Sequence, residues 1–259
     1  MILTPNERER YARHIVLKEV GGPGQQKLKS ATVAIVGMGG LGAPAALYLA
    51  AAGVGRLRLI DHDTVSLSNL QRQVLYKSED IGALKVERAA AALKALNPNV
   101  EIEAWPVRFP PQEGDAGSPF AGADIVLDGA DNFATRFAVN ATCHELGVTL
   151  ISGAVGRWEG QVATFKSGLT KRLPPEQRMP CYRCLVPEIP PNAETCAQLG
   201  IVGALTGVVG SLMALEAVKE IAGAGDSLAG RVLLFDALAA TSRTIILKPD
   251  PNCEICSHG

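Results

Sequence analysis

A strand-like run, Ala31-Thr-Val-Ala-Ile-Val36, leads straight into Gly37-Met-Gly39-Gly40-Leu-Gly42 and then into a small-residue helix, Ala43 to Ala52. A second run, Arg56-Leu-Arg-Leu-Ile-Asp61, completes a strand–helix–strand unit. The alternation continues with a helix from about Gly82 to Leu96, a strand from Glu101 to Pro106, a Pro/Gly-rich loop (Phe109 to Ser118), a strand from Asp124 to Asp128 and a helix from Asn132 to Leu146. This order predicts an α/β fold with a doubly wound, Rossmann-like, mostly parallel sheet. Beyond Val148-Thr-Leu-Ile-Ser152 the character changes to strands without regular helices between them: Gln161 to Lys166, Arg231 to Phe235 and Arg243 to Leu247. Antiparallel additions to the same sheet are expected there, and loops at Lys171 to Pro175 and at Val186 to Asn192. No internal repeat or low-complexity tract interrupts the pattern.

The glycine turn sits where backbone N–H groups and a helix N-terminus can receive phosphate oxygens. Asp61 ends the next strand nineteen residues past Gly42, at the position of a carboxylate that accepts hydrogen bonds from ribose hydroxyls. An NAD site and an ATP site require these same residues. The following string, Asp61-His-Asp63-Thr-Val65-Ser-Leu-Ser68-Asn69-Leu70-Gln71-Arg72-Gln73, favours ATP, because it places a donor-rich loop where a dehydrogenase continues into ordinary crossover structure. Arg72 offers a fork of donors for phosphate. Lys85 lies in the first turn of its helix, where the macrodipole disfavours a cation, and so points to a bound anion. Asp131, in Asp128-Gly-Ala-Asp131-Asn132, is either the N-cap of the next helix or a magnesium ligand, roles that do not exclude each other. The chain has no G-x-x-x-x-G-K-[ST] loop, which excludes ATP binding of the P-loop type.

Six cysteines divide into Cys181/Cys184, Cys253/Cys256, Cys143 and Cys196. Two pairs of x₂ spacing can complete a closed tetrahedral four-thiolate zinc site, which is structural because it leaves no open position. Cys143 falls in an apolar helix and reads as core, and His258 reads as tail. The net charge of −1 offers no field for nucleic acid or an anionic membrane, and 5% aromatic residues are too few for base stacking. Met1 to Arg10 reaches charged residues without an apolar signal core, so a reducing cytoplasm is expected. The uncharged stretch from Thr195 to Leu215 has the length of a membrane span but carries Gln198, Thr206, Ser211 and four glycines. It reads instead as a buried helix suited to close packing, including at a subunit interface. Thr4-Pro5-Asn6-Glu7 has the signature of a capping box opening a helix that carries Arg10, Tyr11 and Arg13.

The Gly-x-Gly-Gly-Leu-Gly turn, the Asp-x-Asp-x-Val-x-x-Ser-Asn-Leu-x-Arg-Gln string, Lys85, Asp131 and the paired CxxC motifs together resemble the MoeB/ThiF family, bacterial relatives of ubiquitin-activating enzymes. The resemblance covers nearly the whole chain. It implies an ATP-dependent adenylyltransferase that activates the C-terminal glycine carboxylate of a ubiquitin-like sulfur carrier ending in Gly-Gly, of the molybdopterin-synthase type or alternatively the thiamine type. It implies one adenylation domain over residues 1–259, with an N-terminal helix (4–16), a nucleotide-binding part (31–153) and a carrier-binding and zinc part (154–259). The implied nucleotide contacts are Gly37, Gly39, Gly40, Gly42, Asp61, Asp63, Ser68, Asn69, Arg72, Gln73, Lys85, Asp131 and Asn132. Catalysis would rest on Arg72, Lys85, Asp131 with Mg²⁺, and Arg13 acting as an arginine finger across a homodimer. Zn²⁺ would sit on Cys181, Cys184, Cys253 and Cys256. Cys196 occupies the position of the sulfur-handling cysteine. No rhodanese domain is seen in these 259 residues, so a separate sulfur donor is expected. Two competing readings are an NAD-dependent dehydrogenase with structural zinc and a non-catalytic zinc-stabilised module that recruits the carrier; retention of Arg72, Lys85 and Asp131 argues against the second.

Overall fold

The computed structural model describes residues 2–111, 117–189 and 200–257. Cys196 and the distal part of the loop from Val186 to Asn192 lie outside them. Eight strands form one sheet in the order β3-β2-β1-β4-β5-β6-β7-β8. The strands are β1 (Thr32–Val36), β2 (Arg56–Ile60), β3 (Glu101–Trp105), β4 (Ile125–Asp128), β5 (Thr149–Gly156), β6 (Glu159–Phe165), β7 (Arg231–Asp236) and β8 (Thr241–Ile246). The first five are parallel. From β5 onward the pairing is antiparallel, as the change of pattern after Ser152 requires.

Helices α1 (Pro5–Arg10), α2 (Ala12–Ile15), α3 (Gly21–Ser30), α4 (Gly42–Ala52), α5 (Lys85–Leu96), α6 (Phe133–Leu146), α7 (Ser167–Thr170), α8 (Tyr182–Leu185) and α9 (Gly203–Ala222) surround the sheet. Strands β1 and β4 are buried along their whole length. Their alternate side chains enter two cores: Val33, Ile35, Ile125 and Leu127 face the α3/α4/α9 side, while Ala34, Val36 and Val126 face the α6 side. Such two-sided burial is what a central parallel strand demands, and it explains why these runs read as continuously apolar.

The Thr4 capping box forms as expected: Thr4 Oγ accepts the Glu7 N–H at 3.2 Å and Glu7 Oε2 accepts the Thr4 N–H at 2.7 Å. The expected continuous helix 4–16 is instead broken at Tyr11. There the ring turns into the core against Gly53, and its hydroxyl accepts from Asn97 Nδ2 at 2.8 Å. The fifth helix starts at Lys85 rather than near Gly82, because Gly82 has φ +91°. Helix α3 was not expected. Its Gly21-Gly-Pro-Gly24 start has poor helix propensity, but Leu28 and Gln25 are fully buried and Gln25 Nε2 donates to Ala52 O at 2.7 Å, so tertiary contact overrides propensity.

Among the described residues no helix is long and apolar enough to cross a membrane. Helix α9, which accounts for most of the uncharged stretch, packs on α3, α4, β5 and β6. Its glycines are not equivalent. A Cβ at Gly210 would meet Leu41 O at 2.5 Å and Pro44 Cγ at 2.6 Å, whereas one at Gly207 would meet nothing within 4 Å. Gly210→Ala is therefore expected to lower the denaturant midpoint by the equivalent of about 1–3 kcal/mol, the usual cost of overpacking. Gly207→Ala should leave stability unchanged or raise it by up to about 1 kcal/mol through helix propensity. Equal effects of the two substitutions would contradict this packing.

Candidate active site

The chain runs from β1 outward to β2 and β3, then returns to β4 on the other side of β1. A doubly wound sheet opens a crevice at such a reversal, beyond the carboxyl ends of its strands. A cavity of about 420 Å³ lies there. Gly37, Gly39, Gly40, Asp61, Asp63, Arg72, Gln73, Lys85, Asp131 and Asn132 all line it. Gly42, Ser68, Asn69 and Arg13 do not.

The glycine turn is shaped by close backbone contacts. Gly37 has φ +84°, and a Cβ there would approach Gly129 O to 2.9 Å; a Cβ on Gly42 would overlap Gly37 O at 1.9 Å. Gly42 thus serves the turn from behind. Asp61 ties this turn to the end of β2: its Oδ2 accepts the Met38 N–H at 2.7 Å and its Oδ1 the Asp63 N–H at 2.8 Å. Burial pushes the Asp61 carboxyl above the usual carboxylate range, opposed by the Lys85 charge and these two N–H groups.

Lys85, expected to face an anion, has one within its own chain. Its Nζ lies 3.0 Å from Asp63 Oδ2, and only 6% of the side chain is exposed. Burial would raise the Asp63 carboxyl, but the hydrogen bond and charge of Lys85 hold it below its ordinary value. His62 Nε2 lies 3.4 Å from Asp63 and 2.9 Å from an Arg108 guanidinium nitrogen. Neither His62 nor Arg108 was singled out in the sequence.

Ser68 and Asn69 belong to a short 3₁₀ turn, Leu67–Asn69, in which Asn69 Oδ1 accepts the Ser66 N–H at 3.3 Å. The Asn69 carbonyl then receives the N–H groups of Arg72 and Gln73, which sets both side chains at the cavity. Arg72 is braced twice, by its own guanidinium on Ser68 O at 3.0 Å and by Thr206 Oγ1, from α9, on its carbonyl at 3.3 Å. Gln73 is buried, and its Oε1 has no hydrogen-bond partner.

At the other wall the N-cap of α6 is Asn132, not Asp131: Asn132 Oδ1 accepts the Thr135 N–H at 2.9 Å. The capping alternative for Asp131 is thereby corrected by one residue. Asp131 is exposed, pairs with no cation among the described residues, and receives only the Asn132 side-chain amide at 3.3 Å. An unpaired carboxylate at a cavity wall has the donor chemistry for a hard divalent cation.

Beneath this wall lies a buried network the sequence did not reveal. Arg136 donates to Asp128 Oδ2 at 3.3 Å, to Ser152 Oγ at 3.2 Å and to Ala130 O, and Ser152 Oγ donates to Asp128 Oδ2 at 2.9 Å. The Asp128 and Arg136 side chains are 1% and 8% exposed. Arg13 stands apart, exposed on α2 and outside the cavity of its own chain.

The sulfur atoms of Cys181, Cys184, Cys253 and Cys256 lie within 4.8 Å of one another. Cys181 and Cys253 are separated by 3.6 Å and Cys184 and Cys256 by 3.4 Å. These distances are far from a disulfide bond of about 2.05 Å. They are close to the separation of about 3.8 Å that tetrahedral Zn–S bonds of about 2.3 Å impose. Three of the four are buried, and the Asp250 N–H donates to Cys184 Sγ at 3.3 Å. The residues fit a closed metal site.

The chain matches the model of the ThiF family over residues 11–255. It is 45% identical over 256 residues to the sulfur carrier protein adenylyltransferase of Thermus thermophilus, covering 98% of this chain and 92% of that one. It is 43% identical over 256 residues to the molybdopterin-synthase adenylyltransferase of Escherichia coli, covering 99% of each. A crystal structure of E. coli MccB with MccA-N7isoASN superposes with a TM-score of 0.78 at 22% identity, over 95% of this chain and 74% of that one, and shares the fold.

The buried ion pair yields a direct test. Replacing Arg136 by Met is expected to cost about 3–5 kcal/mol in unfolding free energy, because it strands the Asp128 carboxylate without a cation. A loss below about 1 kcal/mol in denaturant titration would show that Asp128 does not depend on Arg136.

Proposed function

Since this chain belongs to the ThiF family, we propose that it is an ATP-dependent adenylyltransferase acting on the C-terminal glycine carboxylate of a ubiquitin-like sulfur carrier ending in Gly-Gly. The observation that carries this reading is the single cavity that gathers the glycine turn, the strand-end Asp61, two cations (Arg72 and Lys85) and the unpaired Asp131. The names of the relatives support the carrier class, and the match across 99% of both chains favours a carrier of the molybdopterin-synthase type.

The residue types suit the chemistry. A C-terminal carboxylate has a pKa near 3.5 and is ionised at neutral pH, so its attack on the ATP α-phosphorus needs no general base. One carboxylate oxygen forms a bond to phosphorus as the bond to the bridging oxygen breaks, and pyrophosphate leaves with that electron pair. The obstacle is electrostatic, since two anions meet while charge grows on the leaving group. Arg72 and Lys85 stabilise that charge from positions already braced by Ser68 O, Thr206 and Asp63, so little reorganisation is required. A magnesium ion held by Asp131 would supply further neutralisation. Asp61 receives the ribose hydroxyls, and the backbone N–H groups of Gly39 and Gly40 receive the phosphates, those of Gly37 and Met38 being engaged by Ile60 O and Asp61.

A second, shallower cavity on β5 to β8 shares Ala154, Val155 and Gln161 with the first. An extended tail crossing the antiparallel strands would have a continuous route to the α-phosphate. Adenylation supplies no sulfur, so a separate donor must displace AMP afterwards, with Cys196 as the candidate to handle that atom. The four cysteines hold a structural zinc, and thiolates of this kind suit a reducing cytoplasm. Arg13, exposed outside its own cavity, serves a partner's site in a homodimer.

The test is carrier-dependent ATP–pyrophosphate exchange in the presence of magnesium. Arg72→Ala and Lys85→Ala should each lower the exchange rate on the order of 10²–10³ with the fold intact. Arg13→Ala should impair exchange too, although it leaves its own cavity unchanged. Exchange without a carrier, or near-normal exchange by the Lys85 variant, would overturn the assignment.

A further inference from the structure

One polar side chain between the cavity and the cysteine cluster is unexplained by either. Asn140 lies in the middle of α6, the helix that is capped by Asn132 and carries Arg136 at the cavity. It is 1% exposed. Its Oδ1 accepts the Tyr182 N–H at 2.8 Å. Its Nδ2 is sealed from solvent and has no hydrogen-bond partner among the described residues, and the Oδ1 contact to Tyr182 places this amide beside the knuckle that begins at Cys181.

A buried amide N–H₂ without an acceptor is costly, and native folds retain one only where something satisfies it. A thiol is a weak acceptor, but a metal-bound thiolate is a charged one, and N–H donors to ligating atoms are the usual means of orienting them. The cluster already shows one such donor, the Asp250 N–H on Cys184 Sγ. Cys181 is fully buried, so bulk solvent does not reach it. The next residue, Tyr182, lines the cavity, and its ring packs against Phe137 of α6 at 5.9 Å and Phe165 of β6 at 6.0 Å.

We propose that Asn140 is a positioning residue of the metal centre: its amide donates to the Cys181 thiolate while its carbonyl oxygen holds the Tyr182 N–H. One side chain thereby fixes the first cysteine knuckle to the helix that forms the cavity wall. The proposal deepens the zinc reading above and rests on it.

Metal analysis of the purified full chain comes first, followed by transfer of zinc to a chromogenic chelator from wild type, Asn140→Ala, Asn140→Asp and Val139→Ala. Wild type should hold one zinc per chain. Asn140→Ala should release it roughly 10–100-fold faster, the usual effect of deleting a partner of a metal ligand. Asn140→Asp keeps an acceptor for Tyr182 but turns a carboxylate toward the sulfur, and should release at least as fast. Val139→Ala removes buried methyl groups from the same helix and leaves the Asn140 amide in place. It should be less stable yet release zinc at the wild-type rate. Wild-type release from Asn140→Asp, or equal rates from Asn140→Ala and Val139→Ala, would overturn the positioning role while leaving the zinc site standing. A wild-type chain without zinc would overturn both.

Discussion

The cavity at the reversal of the sheet depends on backbone crossing backbone where side chains cannot fit. Gly42 rests on the carbonyl of Gly37, and Gly37 rests in turn on Gly129, which follows β4. These contacts bring the end of β1, the start of α4 and the end of β4 together at the topological reversal of the sheet. A methyl group at Gly42 would have to displace Gly37 O from 1.9 Å, moving the turn whose Gly37, Gly39 and Gly40 line the cavity. The Met38 N–H, inside that turn, is also the donor that holds Asp61, so the glycine-turn and strand-end sides of the cavity share one anchor.

Charge is arranged around this anchor in pairs that the fold has already oriented. Lys85 is almost fully buried, and Asp63 supplies the opposite charge at 3.0 Å. Arg136 is committed in the same way to Asp128 and Ser152. Among the described residues, the Gln73 Oε1 acceptor and the Asp131 carboxylate on the cavity wall have no such partner. The paired groups hold their charges in fixed positions around the cavity, and Gln73 and Asp131 are further groups that a ligand or cation can engage.

Local signals were legible in the sequence. The run Ala31 to Val36, the glycine turn and the strand ending at Asp61 declare their structure within a few residues, and the x₂ cysteine spacing declares a knuckle. The ladder from β5 to β8 was legible in kind: the ends of β6 to β8 are displaced by one or two residues, and β5 runs to Gly156, four residues past the expected end at Ser152. Helix α3 was hidden because Gly21-Gly-Pro-Gly24 opposes a helix locally, and burial of Gln25 and Leu28 supplies the compensation only after folding. Asp131 and Asn132 are both good caps by composition, and the choice between them rests on which side chain meets the Thr135 N–H. The Asp128–Arg136–Ser152 network and the Asn140 bridge draw on separate elements, so no spacing along the chain announces them.

The central claim is that this cavity joins a carrier carboxylate to the α-phosphate of ATP. It is tested most directly by intact-mass spectrometry of a purified Gly-Gly carrier of the molybdopterin-synthase type, incubated with the protein, ATP and magnesium without a sulfur donor. The expected result is a carrier heavier by one adenylyl group, absent when the terminal glycine is deleted and absent with a non-cleavable α,β-methylene ATP analogue. A carrier of unchanged mass, alongside ATP consumption that ignores the carrier, would contradict the claim.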